Sequence, residues 1–247
     1  MTGCGKAREN VTMAGSTAFQ MFAQKLAEQY MTTHPEVNVT VQGGGSSLGI
    51  RSALSGAAQI GMADLVQLPP EAAPLKSVVA ARDGIAMVLN PANKVDALTT
   101  DQVRDIFCGK IDNWKTVGGA DHVIAVISRE AGSGTRSSFE QIVGNVKLSG
   151  DALIQNSNGT ILETVANDPN AIGYLSHGMV NAKIKPVPVD GVVCTEENIM
   201  AGTYKLVRPV FLMTQANASP ACKAFLAYIL SEEGQELIHK NGLIKAK

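Results

Sequence analysis

Three short stretches of the sequence place glycine beside serine or threonine where a strand is expected to give way to a helix. They are Gly15-Ser16-Thr17, Gly45-Ser46-Ser47 and Gly132-Ser133-Gly134-Thr135. Glycine allows a ligand to approach the backbone closely, hydroxyl groups donate hydrogen bonds, and the first amides of a helix lack partners within the helix. One such turn is usually an ordinary helix cap. Three of them, one preceded by Arg129, indicate a shared anion site.

The charge expected at such a site comes from few groups. Each helix N-terminus carries roughly +0.5, so three ends and the guanidinium of Arg129 together give about +2.5. That charge balances a divalent oxyanion without a cluster of lysines.

Composition excludes several other functions. The chain of 247 residues has a net charge of −1, no long basic run and only 4% aromatic residues. Nucleic acid as the main partner is therefore not expected, since both its electrostatic footprint and its stacking platforms are missing. No apolar run reaches the length of a membrane span. The sequence suggests no metal motif and no cofactor.

The cysteines allow more than one interpretation. Thr2-Gly3-Cys4 resembles the end of a bacterial lipoprotein signal, so Cys4 could carry a lipid anchor; the alternative is an ordinary thiol among residues added by cloning. Counted with Cys108, Cys194 and Cys222, the four could form two bridges, whereas the latter three alone leave one unpaired. Their spacing does not determine the pairing.

Strand and helix patterns alternate along the chain, which predicts an α/β fold with largely parallel sheets. Thr99 with Gln102 and Thr160 with Glu163 have capping-box spacing, and Thr195 and Ser219-Pro220 are further predicted helix starts.

A serine hydrolase is an open alternative. Gly45-Ser46-Ser47-Leu48-Gly49 matches the Gly-x-Ser-x-Gly pattern, with Ser47 as the nucleophile. Such an enzyme needs an acid and a later histidine, for which His122, His177 and His239 are available. The hypothesis leaves the other two glycine-hydroxyl turns unexplained.

Four motifs, AGSTAF, VQGGGSSLGI, IGMAD and SREAGSGTRSSF, resemble in order and spacing the phosphate-binding proteins of bacterial ABC-type phosphate transporters. The phrases GKIDNW, NDPNAIGYLS and RPVFLM extend the resemblance over about residues 11–244. It implies a two-lobed periplasmic-binding-protein-like fold, each lobe a largely parallel sheet flanked by helices. Hinge strands near 85–89 and 205–209 would join lobe one (1–86 plus 207–247) to lobe two (87–206), with the ligand cleft between them.

The resemblance also implies the ligand-binding residues. They are Thr17, Ala18 through its backbone amide, Ser46, Asp64, Arg129, Ser133, Gly134 and Thr135. Ser47 replaces Ser46 if the register differs by one. Arg51 and Arg136 lie close to the loops but are left out, because Arg136 faces away if Thr135 faces inward.

Asp64 is the residue that best indicates which anion the site selects. A carboxylate repels an anion unless the anion brings a proton; phosphate near neutral pH has one to donate, whereas sulfate has none. A site built around that hydrogen bond rejects sulfate by roughly 10⁴-fold. The structural alternative is that Asp64 caps a helix or pairs with Arg51 or Arg129.

The function implied is that of a monomeric receptor, not an enzyme, in the periplasm or on the outer face of the cytoplasmic membrane. It would capture inorganic phosphate and deliver it to the permease subunits of an ABC transporter. The alternatives are a binding protein for sulfate, molybdate or tungstate, and a sensory or adhesion module that keeps the fold but serves no permease.

Overall fold

The computed structural model describes residues 8–144 and 146–246. The strands are β1 (Glu9–Gly15), β2 (Val37–Gly43), β3 (Ile60–Asp64), β4 (Lys76–Leu89), β5 (Ala125–Arg129), β6 (Leu153–Gln155), β7 (Ala171–Ser176), β8 (Lys185–Pro186), β9 (Val207–Thr214) and β10 (Ile244–Lys245). The helices are α1 (Gln20–Thr33), α2 (Ser46–Ser55), α3 (Thr100–Phe107), α4 (Gly134–Val143), α5 (Asn158–Asn167), α6 (Glu196–Met200), α7 (Pro220–Leu230) and α8 (Glu232–Lys240). Among the helices of these two ranges, none has the length and apolar character needed to cross a membrane.

The strands form one curled sheet in the order β2-β1-β3-β9-β4-β7-β5-β6. The outer strands pair in parallel, as the alternation of strands and helices predicts. The middle strands β9 and β4 pair antiparallel with their neighbours. We call the part with β1, β2, β3 and β9 the first lobe and the part with β5, β6 and β7 the second lobe.

Strand β4 runs through both lobes. Its pairing with β9 ends at Gly84, opposite Val207, and its pairing with β7 begins at Ile85, opposite Ser176. The strand is buried almost continuously from Ala80 onwards, as expected where both faces of a strand are covered. The hinge strands near 85–89 and 205–209 and the lobe boundaries at 86 and 207 stay predictions.

Each lobe has its own apolar core. In the first lobe the helical spacing of Phe22, Leu26 and Tyr30 puts these side chains on the buried face of α1, against Phe225 of α7. Burial of each large apolar side chain contributes about 1.5–3 kcal/mol. In the second lobe an aromatic cluster of Phe107, Phe139 and Tyr174 lies at the centre.

Most predicted helix starts are confirmed. Thr99 and Gln102 form a capping box, and Thr195 and Ser219 accept hydrogen bonds from the amides three residues later. The capping box predicted at Thr160 and Glu163 is wrong by three residues. Ser157 caps α5 instead, and Thr160 occupies the third helical position, where its hydroxyl accepts a hydrogen bond from the backbone amide of Ser157. Helix α1 likewise begins only at Gln20, because the hydroxyl of Ser16 first accepts the amide of Phe19 in a turn.

The cysteines Cys108, Cys194 and Cys222 form no disulfide with one another. Cys4, the predicted lipid-anchor position, lies outside the described residues.

Candidate functional site

The three glycine-hydroxyl turns meet at the carboxyl ends of β1, β2 and β5. The amide of Gly45 donates to the carbonyl oxygen of Gly15 at 2.9 Å, and the amide of Ser47 donates to that of Gly132 at 3.1 Å. The first bond joins two turns within the first lobe, and the second reaches across to the second lobe. Gly45 has φ +84°, a backbone conformation that favours glycine. The convergence expected from the sequence is therefore present.

Asp64 is buried at the centre of this arrangement. Its Oδ1 accepts from Ser46 Oγ at 2.9 Å, and its Oδ2 accepts from Thr135 Oγ1 at 2.8 Å and from Arg208 Nε at 2.9 Å. A carboxylate offers about four acceptor positions. With three occupied by donors from both lobes, Asp64 can accept one further hydrogen bond, at Oδ1.

Arg129 is fully buried at the end of β5. Its Nε and Nη2 donate to Glu130 at 2.8 and 2.9 Å, and Nη2 also lies 3.2 Å from Thr17 Oγ1 of the first lobe. Its Nη1 is buried without a hydrogen-bond partner among the described residues. A buried donor without an acceptor is costly, and an anion oxygen is the acceptor that best compensates a guanidinium.

Arg208 on β9 was not anticipated from the sequence, where RPVFLM has the pattern of a plain apolar strand. Besides bonding Asp64, its Nη2 donates to Asp83 Oδ2 at 3.0 Å and Thr135 Oγ1 at 3.2 Å. Within the described part of the chain its Nη1 is also buried and unpaired. The ion-pair partner of Asp64 is thus Arg208, not Arg51, which is exposed, or Arg129. The sequence offered one signal for this role: an arginine within an apolar strand, which is buried with the strand and therefore needs a buried acid as its partner.

Asn158, the first residue of α5, was also missed. Its Nδ2 donates to Thr17 Oγ1 at 3.1 Å and Thr135 Oγ1 at 3.4 Å, while its Oδ1 accepts from the amide of Ser176 at 2.9 Å. This side chain therefore aligns one hydroxyl from each lobe. Because the helix was expected to start later, no pattern singled out Asn158.

The remaining predicted residues belong to the same turns that surround Asp64. Ser133 caps α4 and is buried, and Gly134 follows as the first helical residue. A Cβ at Gly134 would collide with Ser46 Oγ and Asp64 Oδ1, so only glycine fits there. Ala18 is buried beside Thr17. Arg136 turns away, as predicted, and donates to Glu140 at 2.7 Å and to the carbonyl oxygen of Arg129 at 2.9 Å.

The charge balance differs from the one expected from the sequence. Two arginines, Arg129 and Arg208, face three carboxylates, Asp64, Asp83 and Glu130, so the ionised side chains sum to −1. Burial raises the pKa of Asp83 to about 6, and the opposing effects of Arg208 and of the Ser176 hydroxyl are smaller. The N-termini of α2, α4 and α5 add roughly +0.5 each. An anion at this site would therefore be held by directed donors more than by net charge.

The fold and these donors define a two-lobed binding protein. A family model described as a PBP superfamily domain matches residues 2–233, and the chain belongs to this superfamily. The chain is 32% identical over 237 residues to the phosphate-binding protein PstS of Bacillus subtilis, covering 94% of this chain and 79% of that protein.

Two solved structures of similar proteins support the same family assignment. A Clostridium perfringens protein with bound phosphate, assigned as a phosphate ABC transporter substrate-binding protein, is 40% identical with a TM-score of 0.94, covering 97% of this chain and 100% of that one. An ABC-type phosphate transport receptor from Vibrio cholerae is 38% identical with a TM-score of 0.79, covering 95% and 99%.

Proposed function

We propose that this protein captures inorganic phosphate between its lobes and delivers it to the permease of an ABC transporter. One observation carries the proposal: two buried arginines each keep an Nη1 group without a partner among the described residues, and one of them, Arg208, bonds a carboxylate that has a single acceptor position left. This combination suits an anion that accepts many hydrogen bonds and donates one. The names of the relatives point to the same ligand.

The ligand-contact residues we propose are those that the sequence indicates, together with Arg208. Thr17, Ser46 and Ala18 act from the first lobe, and Arg129 with the 133–135 segment acts from the second. Asp64 accepts the proton of the phosphate. Sulfate, molybdate and tungstate are disfavoured because they carry no proton to donate near neutral pH.

We infer that phosphate stabilises the closed arrangement. Arg129 contacts Thr17, and Thr135 contacts Asp64, so each pair spans the two lobes. A ligand that touches both lobes binds this form better than an open one and shifts the population towards it. The proposed rigid bodies are residues 1–86 with 207–247, and residues 87–206.

The serine esterase hypothesis gains no support. His177 Nδ1 lies 3.2 Å from the carbonyl oxygen of Gly242, and His239 pairs with Glu196 at 3.2 Å. Ser47 instead adjoins Gly132 through its backbone amide. Turnover of an activated ester that disappears in Ser47→Ala would be needed to revive an enzymatic role.

Calorimetric titration of the ligand-stripped protein with phosphate, and separately with sulfate, tests the proposal. We expect saturable phosphate binding and no measurable sulfate binding at the same concentrations. Absence of phosphate binding by a folded, stripped sample would reject the function. Tighter binding of sulfate or molybdate would identify a different oxyanion receptor.

Asp64→Asn tests the selectivity mechanism. The amide side chain can donate as well as accept, so the phosphate-to-sulfate affinity ratio should fall by at least about 100-fold, a share of the discrimination that one obligatory hydrogen bond provides. Exposed Asp101→Asn removes the same formal charge and should leave the ratio unchanged. An unaltered ratio in Asp64→Asn contradicts the assigned role.

We further propose an extracytoplasmic location, a monomeric state and a lipid anchor on Cys4. Membrane fractionation of the wild type and Cys4→Ser, each expressed behind the same bacterial lipoprotein leader, tests the anchor. Release of the variant into the soluble fraction is expected.

A further inference from the structure

Asp83 and Arg208 form a cross-strand pair where the sheet passes from one lobe to the other. They are register partners on β4 and β9, directly next to Gly84 and Val207, after which β4 changes its partner to β7. Both side chains are fully buried. No sequence motif singles out either residue, and the phosphate contacts proposed above do not use Asp83.

Asp83 is held from three directions. Its Oδ2 accepts from Arg208 Nη2 at 3.0 Å, while its Oδ1 accepts from Ser176 Oγ at 2.9 Å and from the amide of His177 at 3.2 Å. The two bonds from the second lobe fix the carboxylate, and the carboxylate fixes the guanidinium. Arg208 Nε then points at Asp64 Oδ2, at 2.9 Å.

Resting on the proposed function, we propose that Asp83 is a positioning residue that determines anion specificity through Arg208, because it holds the guanidinium that orients Asp64 and neutralises the charge of Arg208. The guanidinium is shared between two carboxylates. It therefore supplies an oriented N–H to Asp64 without adding a net positive charge that would attract every anion.

The consequence concerns sulfate. With Asp83 ionised, the Asp64–Arg208–Asp83 group carries a net charge of −1, and an anion without a proton meets an acceptor it cannot satisfy. Removing the charge of Asp83 brings this group to neutrality and releases Arg208 Nη2 from one acceptor. Sulfate then gains a donor, whereas phosphate, already matched to Asp64, gains less.

Asp83→Asn is a suitable probe because the amide removes the charge of the carboxylate and keeps its size and shape. Burial raises the pKa of Asp83 to about 6, against the opposing effect of Arg208, while Asp64 and His177 are the other charged or titratable neighbours acting on it. Cys194, whose thiol faces the same region, is buried and its pKa is raised by burial. The amide has the shape of the protonated carboxyl, so the variant should fold.

The experiment is a pair of calorimetric titrations, phosphate and sulfate, at about pH 8, where a carboxyl of this pKa is ionised. It uses the stripped wild type, Asp83→Asn and, as the control for formal charge, Asp105→Asn on the half-buried surface of α3, where the partner of Asp105 is Lys110. In Asp83→Asn we expect sulfate affinity to rise and the phosphate-to-sulfate ratio to fall at least about tenfold, the smallest effect usual for a neighbouring buried charge. The control should match the wild type.

A merely structural role predicts another result. If Asp83→Asn weakens both anions in parallel and keeps the ratio, the proposal is wrong. Arg208→Lys provides the second arm, because lysine retains the charge but cannot place two fixed N–H groups on two carboxylates. Its ratio should also fall, and an unchanged ratio in a folded Arg208→Lys would overturn the proposal even if Asp83→Asn did not fold.

Failure of the proposed function would look different. In that case the wild type itself binds no phosphate, which rejects the positioning role together with the function. A wild type that binds phosphate selectively, with variants that do so equally well, rejects only the positioning role.

Discussion

Arg129 and Arg208 are both fully buried, and within the described residues each has one unpaired N–H group, but their partners differ. Arg129 pairs with Glu130, the next residue, whose side chain is 28% exposed. Arg208 pairs with Asp64 and Asp83, which are distant in the sequence and fully buried. The first pair can exchange its hydrogen bonds with water, whereas the second cannot.

The difference separates two tasks within one anion site. In the proposed site Arg129 can direct its charge at a ligand because its counter-ion, Glu130, is partly exposed to water. Arg208 is also held between two buried carboxylates, and removing one partner of such a buried group leaves an uncompensated charge. The comparison therefore predicts that changes around Arg129 affect binding first, and that changes around Arg208 affect selectivity and stability.

Arg129→Ala should have the largest effect on binding. Truncating a buried, hydrogen-bonded charge costs about 2–5 kcal/mol, so phosphate affinity should fall at least about 30-fold. Calorimetric titration measures the loss. Arg51→Ala removes an exposed arginine from α2 and is the matched control, with affinity expected to remain unchanged. Equal phosphate affinity in Arg129→Ala and the wild type would show that Arg129 does not contact the ligand.

The pH dependence of stability tests the enclosed character of the Arg208 group. The pKa of Asp83 rises from its ordinary value of 3.8 to about 6 in the folded protein, because burial disfavours the ionised carboxylate. A raised carboxyl pKa stabilises the fold fully below the unfolded pKa, and that contribution is lost as the pH rises through about 6. A shift of this size corresponds to about 3 kcal/mol.

The measurement is the free energy of unfolding of the wild type minus that of Asp83→Asn, between about pH 4 and pH 7. Subtraction cancels the groups that titrate in both proteins. The difference should fall by about 2–3 kcal/mol as the pH rises through this interval. A difference that stays constant across this interval would mean that Asp83 is ionised throughout and that Arg208 fully offsets its burial.

Asn158 links the two regions, since its amide donates to Thr17 and Thr135. Asn158→Ala removes one donor from each of these hydroxyls and leaves the buried amide of Ser176 without its acceptor, at a cost of about 1–3 kcal/mol, and should weaken phosphate binding about 5- to 100-fold. Asn90→Ala is the matched control: its buried amide nitrogen bonds the carbonyl oxygens of Val165 and Ala166 in the second lobe. The control should lose stability but keep its affinity. Equal losses of affinity in both would make Asn158 a folding residue only.

Local chemistry explains what the sequence could predict. The α/β class, the turns at Gly45-Ser46 and Gly132–Thr135, and the caps at Thr99, Thr195 and Ser219 depend on residues within a few positions of one another. The resemblance of four motifs then brought Thr17, Asp64 and Arg129 into one hypothesis. These features need no knowledge of how distant strands are ordered.

The missed features depend on that order. Arg208 meets Asp64 only because β9 lies between β3 and β4, and it meets Asp83 through the register of the β4–β9 pair. Asn158 belongs to the second lobe and contacts Thr17 of the first, a pairing of residues 141 positions apart. No local pattern encodes these pairings, although an arginine in a buried strand requires some buried acid as its partner.

Trp114 should show the smallest effect, and it tests whether the second lobe moves as a unit. Its ring is buried, its Nε1 donates to the carbonyl oxygen of Asn170 at 2.9 Å, and it adjoins Val95 and Gly119. All three neighbours belong to the proposed second lobe, so rigid closure around phosphate leaves the indole environment unchanged. Fluorescence titration should therefore give no change in emission wavelength or intensity, while heat unfolding of the same sample should shift both. A saturable change at phosphate concentrations that fill the site would show that binding reorganises the core of this lobe, and the second lobe would then not move as a rigid unit.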